Sequence, residues 1–310
     1  MDALGRTHVE LSELIHARLW LSRLPDNKSK SPASTISGQH LARLHGQSTE
    51  FDQVRDYQHG DDARHIDWRA SARAGAIQTR LFRRERDRPV FILVEQSPAM
   101  FFASCGNFKS VQAALVASLF AWAASSVHDR IGGLVFGRPT GRLTPPARNR
   151  QGALQLLDNI CRENQRLNSP FPTDNSNPLQ QALEQCRPHL LPGCLLILVC
   201  SEQHLSPDAA RQLGTLAIRH ESIWLPVSDP LEHLLPHQQG LAFAGQQQQL
   251  FLQQQHSSLS QGWQQQARQT RALWQQLATK HQTILLPVCT SSCLSQQLPG
   301  LQEGLHVIST

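Results

Sequence analysis

With 310 residues, 40% of them hydrophobic and 17% charged, the chain is long enough for one large domain or two modest ones with a sizeable core. Its net charge of +5 is a mild basic excess, short of the clustered lysine-arginine signature of a dedicated nucleic-acid binder, so nucleic acid is not the expected partner. Seven cysteines, odd in number and without a Cys-x-x-Cys pair, argue against a disulfide framework or a zinc ribbon and for buried, reduced thiols. The N-terminus lacks a signal-peptide core, and no stretch approaches the roughly 20 apolar residues that span a bilayer. A cytoplasmic protein without a direct membrane span is expected.

The first predicted element is an amphipathic helix over residues 8–24, where Val9, Leu11, Leu14, Ile15, Leu19 and Leu21 recur at helical spacing. A turn-rich linker, Asp26 to Ser34, follows. Nine arginines and six carboxylates between Arg55 and Arg88 then interleave with Tyr57, Ile66, Trp68 and Phe82. That mixture is too apolar for a solvated charge run and too charged for a core strand. Residues 37–88 therefore read as a polar module in which arginines pair with acids over an apolar underside. Within it Gly60-Asp61-Asp62 signals a turn, and His65 to Trp68 and Ile77 to Phe82 alternate as half-polar strands. Ser71 to Gly75 reads as a short helix or turn between them.

From Val90 onward strands and helices alternate. Val90 to Val94 is a continuous apolar run of the kind covered on both faces of a sheet. Phe108 to Val127 is a long apolar helix, Ile131 to Phe136 a strand, and Arg142 to Thr144 a short companion ended by Pro145-Pro146. Helices follow over Gln151–Cys161 and Leu179–Cys186, then a strand over Cys194–Cys200. A helix from Pro207 to His220, with proline at its start, precedes the strand Ser222–Val227. The glutamine-rich stretch still repeats Leu259, Trp263, Leu273, Trp274 and Leu277, so it reads as a short edge hairpin and then a helix over Ser258–Lys280. A last strand, Thr283–Val288, and a closing helix, Ser291–Leu298, complete the order. The fold class is α/β, a doubly wound, mostly parallel sheet with helices on both faces, joined to an N-terminal helix and the arginine-rich strand and loop module. The expected divisions are residues 1–36, 37–88 and 89–310. Sites in such sheets form beyond the carboxyl ends of the strands, here at residues 95–99, 175–178, 201–203 and 229–232.

Known catalytic signatures are missing from those loops. Ser97 follows a strand but lacks the Gly-x-Ser-x-Gly frame of a nucleophile elbow. Gly132-Gly133 lies inside a strand without the Gly-Lys-Ser/Thr of a phosphate loop, so the chain is not expected to hydrolyse ATP. His59, Asp61, Asp62, His65 and Asp67 read as partners of Arg55, Arg64, Arg69 and Arg73 before they read as metal ligands.

Several blocks resemble one family. Gly46-x-x-x-Glu50-Phe51, Arg55-x-Tyr57, Gly60-Asp61-Asp62-x-Arg64-x-Ile66-Asp67-Trp68 and Ser71-Ala72-Arg73 look like the signature of the domain-of-unknown-function 58 family. Asp229-Pro230-Leu231-Glu232 matches it downstream. The resemblance implies a von Willebrand factor A-like domain behind the arginine-rich module. It also implies action beside a MoxR-type AAA+ ATPase in maturing or activating client proteins, as a non-enzymatic adaptor. Domains of this kind often hold Mg²⁺ through an Asp-x-Ser-x-Ser loop, a threonine and an aspartate. Here the corresponding positions are Glu95, Ser97 and Ala99 in the first loop, Asn177, with Ser176 beside it, in the second, and Glu202 in the third. Every loop departs from the pattern, so no cofactor is expected. The alternatives are a distorted Mg²⁺ site on Glu95, Ser97, Asn177 and Glu202, and an enzyme or nucleic-acid binder working through the basic module.

Overall fold

The computed structural model describes residues 5–22, 49–58, 66–84, 88–138, 141–168, 177–235, 241–244, 249–252 and 257–309. Gly60, Asp61, Asp62, Arg64 and Ser176, as well as the side chains of Glu50 and Phe51, lie outside the described residues. Two compact units divide the chain, one of residues 26–87 and one of residues 1–25 with 88–310. Of the N-terminal segment set apart at residue 36 by the sequence pattern, residues 1–25 thus group with the large sheet.

In the smaller unit, β1 (Thr49–Asp56) pairs antiparallel with β2 (Gln78–Arg84), and Glu50 lies opposite Arg83. The N-terminal helical residues form α1 (Leu11–His16) and α2 (Arg18–Leu21) in the larger unit, and α3 (Trp68–Ala74) lies between β1 and β2. Of the strand predicted over His65 to Trp68, the described residues 66–68 do not form one, and His65 lies outside the described residues. Ile66 makes only an isolated bridge to Thr79. Asp67 then caps α3, accepting from the amides of Arg69 and Ala70, and Gly75 closes it at φ +70°. An Asp at the N-cap starts the helix one residue later, so Trp68 becomes its first residue and faces outward, 69% exposed. Trp68→Ala is therefore expected to change stability by no more than about 0.5 kcal/mol, whereas Asp67→Ala costs about 1 kcal/mol through the lost cap. Denaturant melts of the two variants check this; a larger loss for Trp68→Ala would place its ring in a core.

The larger unit is built on one sheet. Its strands are β3 (Pro89–Glu95), β4 (Arg130–Phe136), β5 (Arg142–Ala147), β6 (Leu195–Ser201), β7 (Glu221–Ser228), β10 (Ile284–Leu285) and β11 (Val288–Cys289). Their order is β10-β7-β6-β3-β4-β5, and β11 also pairs with β7. All pairings are parallel except β4 with β5. β5 runs through Pro145 and Pro146, which were expected to end it; an edge strand tolerates proline because one side needs no ladder donor. The last strand is interrupted at Leu286-Pro287, where proline removes a donor, and so becomes β10 and β11. The hairpin β8 (Leu241–Ala244) and β9 (Gln249–Leu252) is a separate two-stranded sheet, not an edge of the main one.

Helices cover both faces. On one lie α4 (Lys109–Ser126), α5 (Asn149–Gln165) and α10 (Leu294–Ser309), with α1. Helix α4 is apolar on nearly all sides because α1, α2, α5, α10 and the sheet surround it. Trp122 in α4 donates its indole N–H to the Leu14 carbonyl (2.8 Å), tying α1 to it. On the other face lie α6 (Pro178–Cys186), α7 (Pro207–Ala217) and α9 (Ser257–His281). Cys161, Cys186, Cys194 and Cys200 are buried as the sequence suggests, but Cys105 is exposed and Cys289 and Cys293 are half-buried. Among the described residues no helix is long and apolar enough to cross a membrane.

Candidate functional site

Strand β3 sits between β4 and β6, and the chain leaves it toward β4 on one side and returns to β6 on the other. The carboxyl ends of β3 and β6 thus flank a topological switch point, the usual place for a site in such sheets. The last residues of these strands, Glu95 and Ser201, meet there: the Ser201 amide donates to Glu95 Oε2 at 2.8 Å. Two glycines let the surrounding loops close in. Gly137 has φ +127°, and a Cβ there would sit 2.5 Å from the Ser97 amide nitrogen. Gly106 has φ +67°, and a Cβ would sit 2.2 Å from the Thr290 carbonyl oxygen.

The Glu95 carboxylate is completely buried. The Ser97 hydroxyl donates to its Oε1, and His204 Nδ1 lies 2.7 Å from the same oxygen. Burial works against the charge of Glu95, but the His204 imidazolium, the Ser97 hydroxyl and the Ser201 amide together outweigh it and hold the carboxyl below its ordinary value. Burial likewise disfavours charged His204, and the Glu95 carboxylate outweighs it, raising the imidazole. The two shifts agree on one buried ion pair.

A second pair lies beside the first. Lys109, the first residue of α4, is 1% exposed. Its ammonium donates to Glu232 Oε1 at 2.5 Å and to Ser201 Oγ at 3.4 Å. Glu232 belongs to α8 (Pro230–His233), where Asp229 is the N-cap, Pro230 the first residue and Glu232 the third. Asp229 accepts from the Leu231 amide, and Glu232 Oε2 accepts from the Asp229 amide (2.9 Å each), a capping box. The buried Asp229 carboxylate also accepts from the Ser104 amide (2.8 Å), the Ser104 hydroxyl (2.5 Å) and the Thr290 hydroxyl (2.5 Å). Burial would raise its pKa, but these donors outweigh burial and hold it below the usual carboxylate value.

Glu202 turns away from this centre. It accepts from His233 Nε2 at 2.5 Å, and Arg271 of α9 lies 3.5 Å from its other oxygen while donating to His233 Nδ1. Its backbone carbonyl accepts the Trp274 indole N–H at 3.0 Å. Asn177 caps α6 through the amides of Leu179 and Gln180, and its side-chain amide donates to the His204 carbonyl at 2.9 Å.

Of the residues expected to share a Mg²⁺ ion, only Glu95 and Ser97 therefore touch. Mg²⁺ requires near-octahedral hard oxygen donors. Here Glu95 is already balanced by His204, Ala99 has no side-chain oxygen, Asn177 is committed to a helix cap, and Glu202 faces His233 and Arg271. This donor set does not fit the ion. The signature residues Asp229 and Glu232 do join the cluster, whereas Arg55, Tyr57, Asp67, Trp68 and Arg73 lie in the other compact unit. Sequence reasoning missed Lys109, Ser104, His204, His233, Arg271 and Thr290. Lys109 alone had a local signal: it is the single charged side chain in the otherwise apolar α4 segment.

The pair sets a pH window. His204 is raised on folding, so its contribution is complete below its ordinary value of 6.5 and is lost as pH rises through the raised value. Glu95 is lowered, so its contribution is present above its ordinary 4.5 and is lost as pH falls through the lowered value. Thermal melts should show greatest stability between those limits, and His204→Gln should flatten the alkaline limb. An alkaline limb unchanged in that variant would contradict the ion pair.

A family model described as "Protein of unknown function DUF58" matches residues 53–282. An uncharacterized protein of Mycobacterium bovis, Mb1516, and one of Mycobacterium tuberculosis, Rv1480, are each 27% identical over 203 residues, 65% of this chain and 62% of theirs. The chain thus spans under two thirds of the length of the curated relatives it matches. Among solved structures, BatB from Bacteroides thetaiotaomicron is similar at TM-score 0.47 and 13% identity, covering 72% of this chain and all of BatB. An aerotolerance-related membrane protein from Bacteroides fragilis is similar at TM-score 0.45 and 14% identity, over 71% of this chain and 99% of that one.

Proposed function

We propose a function from one premise: this chain belongs to the DUF58 family of proteins of unknown function. On that premise the chain is a cytoplasmic, non-enzymatic adaptor that couples a MoxR-type AAA+ ATPase to client proteins. The supporting observation is the state of the polar groups at the switch point. Glu95, His204, Lys109, Glu232 and Asp229 are buried or half-buried, and each is engaged in ion pairs or hydrogen bonds within the cluster. The groove found beside them, about 260 Å³ between α7 and α9, is walled by Leu205, Pro207, Ala210, Leu273 and Leu277 and suits an apolar side chain of a partner.

The smaller unit offers a second contact surface. Trp68, Arg69, Arg73 and Ile77 are all exposed around α3. Tryptophan and arginine are the residue types that most often dominate protein interfaces. The test mixes the purified chain with a purified MoxR-type AAA+ ATPase and measures complex formation by light scattering and ATP turnover. A stoichiometric complex is expected, weakened about tenfold by Trp68→Ala combined with Arg73→Glu while the melting temperature holds. No complex with ATP, with ADP or without nucleotide would overturn the adaptor reading.

A further inference from the structure

Lys109 occupies a place where a cation is doubly disfavoured. It is buried, and it stands at the amino end of an 18-residue helix, whose dipole repels positive charge. A buried ammonium persists there only if carboxylates hold it, and Glu232 does so at 2.5 Å. The partner of Lys109 is itself fixed: Glu232 Oε2 accepts the Asp229 amide, and Asp229 binds Ser104 and Thr290. On the other side, Ser201 joins the two ion pairs, its hydroxyl near Lys109 and its amide on Glu95, which faces His204.

We infer that Lys109 and His204 do the work that a divalent ion does in a metal-bearing domain of this architecture: they are built-in cations that draw together the loops after β3, β6 and β7. A metal gathers acidic loops by neutralising carboxylates that would otherwise repel one another. Here Glu95, at the end of β3, and Glu232, in α8 after β7, are each neutralised by a cation of the chain itself. The cluster is closed without metal, and a partner carboxylate has no ion to complete. Binding at this end of the sheet therefore proceeds by surface complementarity and is insensitive to chelators. The latch holds whether or not an ATPase is the partner, since it concerns only how the loops are assembled.

The test is metal titration of the full chain, by calorimetry and by thermal melting, with MgCl₂ and MnCl₂ at millimolar concentration and with EDTA. No saturable heat and an unchanged melting temperature are expected. Lys109→Met is expected to lower the melting temperature by roughly 5–10 °C, without rescue by either metal, and Lys109→Arg to recover part of the loss. Should Lys109→Met fail to fold, Glu232→Gln, which keeps the shape and removes the charge, is expected to show a smaller fall, again without metal rescue. Saturable metal binding by the wild-type chain that disappears in Glu95→Gln would overturn the inference. So would a variant lacking the Lys109 or Glu232 charge that melts at or above the wild-type temperature.

Discussion

Asp229→Ala is expected to lower the unfolding free energy by about 3–5 kcal/mol, because four donors lose one acceptor together. The carboxylate is 0% exposed and accepts from two backbone amides, Ser104 and Leu231, and two hydroxyls, Ser104 and Thr290. Hydroxyls can rotate to other acceptors, but the amides are fixed by the backbone, and each buried donor left alone costs about 1–3 kcal/mol. Asp229→Asn keeps the shape and one good acceptor, so about half of that loss is expected. Urea denaturation of both variants measures the difference. A loss below about 1 kcal/mol for the alanine variant would mean that the loops after β3 and β11 are not held through this side chain.

Trp274→Ala is expected to cost about 3–5 kcal/mol, the usual range for deleting a buried tryptophan. Trp274 is 1% exposed, stands edge-on to Trp224 with ring centroids 6.1 Å apart, and bonds the Glu202 carbonyl. It carries α9 onto the second face of the sheet and onto the loop after β6. Trp274→Phe retains most of the apolar contact and loses the N–H, so a cost of about 1–2 kcal/mol separates the hydrogen bond from the packing. A phenylalanine variant as unstable as the alanine one would assign the whole effect to the hydrogen bond and contradict the packing account.

The strands were legible wherever burial on both faces made the apolar run continuous. Val90 to Val94 and Cys194 to Cys200 stand out in the sequence and lie at the centre of the sheet. Elements governed by a single polar residue were less legible. Asp67 turned an alternating segment into a helix start, and Trp68 moved from an expected apolar underside to the surface. Helix α10 runs on to Ser309 through Pro299, well past the expected stop at Leu298, because Leu301, Leu305 and Ile308 still find the core. Packing there outweighs the local preference against proline.

What the sequence by itself determined is the α/β order, the two-faced sheet and the family, since these follow from apolar periodicity and from ungapped local motifs. The position of Glu95 and Ser97 at the carboxyl end of the first sheet strand follows from the same apolar run. The partners of those residues were decided only by the tertiary structure. Glu95 meets Ser201 across 106 residues, Lys109 meets Glu232 across 123, and Asp229 meets Ser104 across 125. Apolar burial repeats with the helix or strand period and can be read along a chain. Charge pairing has no period, so whether an acid faces a metal, a histidine or a lysine is settled only when the strands have brought their loops together.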